Sequence, residues 1–471
     1  MIGQVTTRSR AGVAYGPPTI RSALVFAAVV VVIAMALLWP AIINRGPLVF
    51  FDTIGYLSQG RSTLELVVDK IMPEPTRVPA PVSADAPRAP EGAAIAAPET
   101  ERDAPFVRSI VFPAFAYLGS LGPLGFSGTL LLQSLIVAAL VGVIAGREAS
   151  AHSVAAAIAA AVCVGLTSAP WTVSTLMPDV FASIAILCAM IIAARLDRIG
   201  VIGKLFVLGA ATLASLSHYG HTPLFLAVAA AALLALLAQR RLGLWAVLLT
   251  IGPLAITMAT SLGVATVVFD EESVTPRRLP LLLARSMVDG PALWHLEEHC
   301  DEHGYAVCEL WDGDMPDNLT DLLWRSDSML KKASDEQMDR IRQEEFLILK
   351  RAMLEYPAVQ TWSFVGNAVR QLSKIGMEDT AWGTVVEGAD GSFQRERSGS
   401  GERSGLESIA RVQEVVVLGA LGLIVVWIVR DGLRAGDRER SLLFVAIAGL
   451  VANAAIFGGL SAPVDRYQAR V

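Results

Sequence analysis

Nine apolar runs constrain this chain more than any other feature: roughly 22–43, 123–146, 151–170, 179–195, 201–217, 222–239, 243–268, 412–429 and 441–460. Each has about the 17–25 residues that a helix needs to cross hydrocarbon. A bilayer offers no water to backbone polar groups, so runs of this length must satisfy them internally as helices. The expected fold class is an all-α polytopic membrane protein of about nine transmembrane helices, with a mainly helical soluble outer domain. A chain that is 54% hydrophobic and 17% charged fits that class and not a soluble one.

Short loops set the orientation. Arg147, then Arg195, Arg198 and Lys204, then Arg240 and Arg241, then Arg430, Arg434, Arg438 and Arg440 all fall on one side. The opposite loops, 168–178 and 217–221, carry no Lys or Arg. The positive-inside rule puts the basic loops and the N-terminus in the cytoplasm and, with nine spans, the C-terminus outside. The run after Arg8, Arg10 and Arg21 is too long for a signal-peptide core and reads as a retained first span. A bacterial inner (plasma) membrane is the expected location. A net charge of -6, with no Lys/Arg cluster interleaved with aromatics, argues against nucleic acid as a partner.

Three regions follow. Residues 1–268 form a seven-span module whose first outer loop, 44–121, contains a Pro/Ala-rich linker over 72–105. Residues 269–411 read as a soluble outer, periplasmic, domain, and 412–471 as two further spans with an outer tail. Within the middle region, 297–321 has nine carboxylates and no Lys or Arg, which usually marks a solvated face. Asp312 to Asn318 alternates acids like a calcium loop but lacks the EF-hand glycine and glutamate. Ser334 and Gln337 predict a capping box for a helix lined by Met338, Ile341, Glu345, Leu349, Met353 and Tyr356. After Pro357 a second helix carries Val359, Trp362, Val365, Val369, Leu372 and Ile375, with Gly376 as its C-terminal cap; the two stripes read as the core of a helix pair. Residues 388–405, rich in Gly, Ser and Arg, read as a tether.

Candidate chemistry collects on the outer face. Asp52 lies where the first span surfaces, an expensive place for an ionisable group; it either N-caps a short interfacial helix or carries function. Asp179, after Pro178, has the same two readings: a helix N-terminus capped by a carboxylate, or a second acid paired with Asp52. Interfacial helices on either side of the linker would bring Arg108 near Asp52. His218 and His221 form a polar turn able to hold a metal, bond a phosphate or titrate near neutrality, or else simply be hydrated. Arg285 is placed to clamp a phosphate or a headgroup, and Arg466 with Arg470 closes the outer face. Cys300 and Cys308, close together on the oxidising side, are candidates for a disulfide. His295 to His299 matches the H-x-x-E-H pattern of inverted zinc proteases, but no third ligand follows in sequence and the pattern is short.

An outer acid with a tyrosine four residues on (Asp52, Tyr56), interfacial helices in the same loop, a second outer acid after the third span (Asp179) and a soluble outer insertion together resemble the GT-C class of polytopic glycosyltransferases. That resemblance implies a sugar taken from a polyprenyl-phosphate carrier on the outer face of the membrane. It makes Asp52 the general base, and Asp179 the residue that positions the acceptor or a divalent metal ion. His218, His221, Arg108 or Arg285 would balance the leaving phosphate, with Tyr56 and Arg466 in the same substrate site. The soluble region departs from the family by lying between spans seven and eight. Two rivals stand beside this reading: a transporter or flippase of lipid-linked material, and a non-catalytic membrane assembly protein. A transporter should place ionisable groups near the midplane, where this chain offers little beyond Gln133.

Overall fold

The computed structural model describes residues 20–50, 52–71, 108–145, 151–269, 271–311, 315–377, 384–387, 392–396, 400–432 and 434–471. The predicted linker 72–105 and residues 312–314 of the acidic loop lie outside them. In chain order the helices are α1 (Ile20–Leu37), α2 (Trp39–Ile43), α3 (Thr53–Ile71), α4 (Val111–Ser120), α5 (Phe126–Ala145), α6 (Ala151–Gly165) and α7 (Ala169–Ser174). Then come α8 (Val180–Arg195), α9 (Val201–Ser217), α10 (His221–Ala238), α11 (Leu244–Val264), α12 (Leu281–Asp289), α13 (Pro291–His303), α14 (Leu319–Leu323) and α15 (Met329–Lys332). The last are α16 (Asp335–Glu355), α17 (Pro357–Leu372), α18 (Ser400–Asp431), α19 (Asp437–Asn453) and α20 (Asp465–Ala469).

Among the described residues, seven helical stretches are long and apolar enough to cross a bilayer. The protein is an integral membrane protein of the all-α class. A helix lies at every one of the nine predicted runs, but α6 and α9, with 15 and 17 residues, fall below the length that identifies a span on its own. The run 151–170 passes into a loop after Gly165, whereas 201–217 is helical over its whole length and is itself short.

Helix α8 is apolar all round, and 67% of its span is buried, as expected of a central helix. It packs against α5, α9, α10 and α19. In lipid there is little hydrophobic gain from joining helices, so close approach depends on small residues: Ala182, Ala185, Ala189 and Ala193 are all buried, and a side chain at Gly449 of α19 would meet Ile186 at 2.8 Å. By contrast α18 is equally apolar but only 6% buried, leaving its surface to lipid. At one end of the bundle Asp197 pairs with Arg241 at 2.8 Å and Arg438 at 2.5 Å, joining three of the basic loops.

Residues 283–352 build a second, separate core from α12 to α16, including Leu283, Met287, Leu296, Leu322, Ile341 and Ile348. The predicted capping box at Ser334 and Gln337 is present, and Cys300 and Cys308 form a disulfide. Helix α17 corrects the expected helix-pair core. Its apolar stripe faces outward, with Trp362 78% and Val369 60% exposed, while Asn367 and Gln371 are the buried residues. The reason is its neighbour: α17 lies on the π-helical end of the last span, Ala454–Gly459, where a side chain at Gly458 would strike Gln371 at 2.3 Å. Its polar side bonds protein and its apolar side is left to the bilayer surface. The helix ends at Leu372, so Gly376 is not its cap; the Gly376 N–H donates to Asp465 at 3.1 Å.

The predicted tether is also more ordered than its composition suggested. Strands β1 (Thr384–Glu387) and β2 (Phe393–Glu396) pair antiparallel, Thr384 opposite Glu396, and α18 starts at Ser400. Phe393 accounts for this: it is buried edge-on against Tyr117 and Phe126, at 6.2 and 6.1 Å.

Candidate functional site

Two loops at the opposite end of the bundle from Asp197 are held together by backbone. The Leu48 N–H donates to Ser174 O at 2.8 Å and the Leu176 N–H donates to Leu48 O at 3.0 Å. Thr53 secures the turn, its hydroxyl accepting from Phe50 N at 2.9 Å and donating to Leu176 O at 3.3 Å. Gln133, buried in α5, donates to Val173 O at 2.6 Å and Thr175 O at 3.3 Å. It is a fastener for this loop and not part of a midplane pathway. Asp52 and Asp179 follow directly on the joined segments.

Each acid directly precedes a helix, Asp52 before α3 and Asp179 before α8. Asp179 precedes α8 but makes no side-chain capping bond; its carboxylate accepts from Arg470 Nη1 at 2.8 Å. Asp52 Oδ1 accepts from Arg108 Nη2 at 3.0 Å, and Oδ2 lies 3.5 Å from Arg466 Nη2. Arg108 arrives because α3 and α4 pack so closely that a side chain at Gly60 would collide with the Pro113 carbonyl at 2.2 Å. Its guanidinium then lies over the Tyr56 ring at 5.0 Å. Burial pushes the Tyr56 hydroxyl well above its usual pKa, so it remains protonated.

The C-terminal segment delivers the other two arginines. Gln371 of α17 pairs with the Val464 backbone through both its amide groups at 2.9 Å. Asp465 is held by Lys374 at 3.3 Å. Asn453, buried at the end of α19, donates to Tyr467 O at 2.6 Å and accepts from Arg470 Nη2 at 3.3 Å. Arg466 lies on the Phe50 ring at 4.1 Å and Arg470 on Phe457 at 3.9 Å. Three guanidiniums therefore face two carboxylates, leaving one positive charge in excess. Burial alone would raise the Asp179 pKa, but Arg466 and Arg470 outweigh it and hold the carboxyl below its usual range. Two guanidinium donors are left over: Arg466 Nη1 and Arg470 Nε are buried with no hydrogen-bond partner among the described residues.

Beside these groups is a cleft lined by Phe50, Trp171, Thr175, Met177, Asp179 and Arg466 among others. Apolar walls with a few convergent charges are the usual make-up of a ligand site. His218 and His221 stand behind Arg470, their rings 5.2 Å apart and both packed on Phe457. Gly220 N–H donates to His218 Nδ1 at 3.0 Å. Burial, then the nearby Arg470, pulls the His218 pKa down to about 3. His218 is thus neutral when folded, whereas the unfolded chain takes up a proton near pH 6.5. Its contribution to stability is complete above that pH and is lost as pH falls from 6.5 towards 3. The melting temperature of the wild type should therefore fall over that range more steeply than that of His218→Asn, measured at matched ionic strength; equal slopes would contradict it.

Arg285 is the expected site residue that the structure puts elsewhere. It pairs with Asp289, which also accepts from Asn367, and donates to Ser461 O at 3.3 Å. It ties α12 to α17 and the C-terminal segment, because an acid four residues on along the same helix face captures it first. The residue that sequence reading missed is Asn453, and the pairing it missed is that of Arg470 with Asp179; a lone Asn in an apolar span was the available signal for the first. The metal option at the acids does not fit the donors, since both carboxylates already face guanidiniums. The groups of three or more metal-competent side chains among the described residues lie elsewhere. Comparison with protein-family models, with curated proteins and with solved structures yields no match, so the chemistry of this site is argued from its own residues.

Proposed function

We propose that this protein is a membrane glycosyltransferase of the GT-C type, moving a sugar from a polyprenyl-phosphate carrier to an acceptor at the outer face of a bacterial inner membrane. The observation that carries the reading is Arg466, which contacts Asp52, faces Asp179 across an apolar cleft and keeps one buried donor unused. An arginine in such a place is suited to an anionic phosphate at the end of a lipid.

The reaction follows from these positions. The acceptor hydroxyl gives its proton to Asp52 Oδ2 as its oxygen bonds to the sugar anomeric carbon, and the bond from that carbon to the phosphate oxygen breaks. The phosphate keeps the electron pair, and Arg466 meets the charge that develops. The Arg466 contact to Asp52 is long, at 3.5 Å, so a phosphate would compete for it and free Oδ2 to act as base. Asp179, fixed by Arg470, orients the acceptor. Arg108 and Tyr56 hold Asp52 from its other side, and His218 and His221 pack with Arg470 on Phe457. No step needs a metal.

The topology supports the same reading. The basic loops meet at the Asp197 end and the acids at the other; under the positive-inside rule this favours a nine-span reading that counts α6 and α9, with the N-terminus in the cytoplasm and the α12–α16 unit and C-terminus outside. Membranes containing the protein should release polyprenyl phosphate from a radiolabelled polyprenyl-phosphate sugar when acceptor is present. Arg466→Gln should lower that rate about 100-fold, the scale of one electrostatic contact to the reacting centre. No release by the wild type, or equal release by the variant, would sink the proposal and favour transport or assembly.

A further inference from the structure

Away from this cleft, three histidines ascend one face of α13 at intervals of four: His295, His299 and His303. The first two rings are 4.8 Å apart, and the second and third stack at 5.7 Å. The end of α16 meets them. Glu355 Oε2 lies 2.7 Å from His295 Nδ1, and Oε1 lies 3.7 Å from His299 Nε2. One carboxylate therefore faces two imidazoles contributed by a different helix, and the three ligand atoms all lie within 4.8 Å of one another.

From these residues we propose a divalent transition-metal site, of the zinc class, held by His295, His299 and Glu355. Metal–nitrogen and metal–oxygen bonds near 2.0–2.1 Å in a tetrahedron put ligand atoms about 3.3 Å apart. The observed spacings bracket that value, so only small side-chain movements are needed. The site also has the outer support that metal-binding histidines require. His295 is buried, and its Nε2 lies 3.3 Å from the Tyr305 hydroxyl. Arg351 donates to that same hydroxyl at 2.7 Å and so fixes the phenol oxygen beside Nε2; in the tautomer that carries Nε2–H, the ring is braced by Tyr305 and Nδ1 is available to a metal. The Cys300–Cys308 disulfide ties together the two ends of the segment that carries His303 and Tyr305.

The site is structural and not that of a protease. Glu298, which would be the catalytic base of the H-x-x-E-H pattern, instead accepts from the Tyr356 hydroxyl at 3.0 Å. A metal here joins the middle of α13 to the C-terminal end of α16. At the other end of the unit, Glu345 of α16 accepts from the backbone N–H groups of Leu282 and Leu283, both at 3.1 Å. Metal and carboxylate thus fasten α16 at two points, one on α13 and one on the start of α12.

The test uses the full-length protein, free of any histidine tag, purified in detergent, stripped with chelator and titrated with Zn²⁺ or Co²⁺. Wild type should bind one ion per chain, with the visible absorption of tetrahedral Co²⁺ and a higher melting temperature. His299→Ala and Glu355→Gln, both at accessible positions, should weaken binding more than about tenfold while the metal-free melting temperature stays near that of the wild type. Retention of the Cys300–Cys308 disulfide in each variant would report that α13 remains folded. Absence of stoichiometric binding by the wild type, or undiminished affinity in both variants, would overturn the proposal, with His295 and Glu355 then joined by a plain hydrogen bond. None of these readouts involves glycosyl transfer, so the site stands or falls independently of the proposed function.

Discussion

Arg470→Met is expected to destabilise the protein by about 3–5 kcal/mol, the cost of leaving a buried charge without its partner. Arg470 is 5% and Asp179 7% exposed, and the pair is 2.8 Å apart. The variant also forfeits the stacking of Arg470 on Phe457 and its bond to Asn453. Removing both charges avoids the uncompensated acid, so Asp179→Asn combined with Arg470→Gln should recover a large part of the loss. Glu65→Gln is the internal control: its pair with Arg61 is exposed, 34% and 62%, and exposed pairs of this kind contribute under about 1 kcal/mol. Thermal unfolding of detergent-purified protein, followed by fluorescence, checks the set. If Arg470→Met melts with Glu65→Gln, the pair does not hold the C-terminal segment in place.

Asp52→Asn should have the largest effect on activity. The substitution keeps shape and hydrogen-bonding capacity but removes the base, which is worth about 10²–10⁴-fold in rate. Stability should change little, because the Asp52 side chain is 17% exposed and its two arginines keep other contacts. Arg108, for example, still stacks on Tyr56. This separation distinguishes catalysis from architecture: a rate lost at unchanged melting temperature points to the proton transfer, whereas parallel losses point to a structural ion pair. Transfer by Asp52→Asn at the wild-type rate would remove Asp52 from the mechanism altogether. Arg108→Met, which spares the carboxylate, should retain more activity than Asp52→Asn.

The sequence by itself determined what depends on local pattern and on the solvent. Long apolar runs dictate membrane helices because hydrocarbon cannot satisfy a bare backbone; the capping box at Ser334 and the Cys300–Cys308 bridge were legible because their partners are only three and eight residues apart. The convergence of Asp52 with Arg108 was also readable, since two interfacial helices flank the linker between them. Tertiary structure alone decided the rest. Arg470 meets Asp179 across 291 positions, and Glu355 supplies to His295 and His299 the third ligand that no spacing announced. Arg285 was lost to Asp289 because a neighbour on the same helix face outcompetes a distant site. Helix α17 was misjudged for a related reason. An apolar stripe records only that one face leaves water, and in a membrane protein lipid can receive that face as well as a core can.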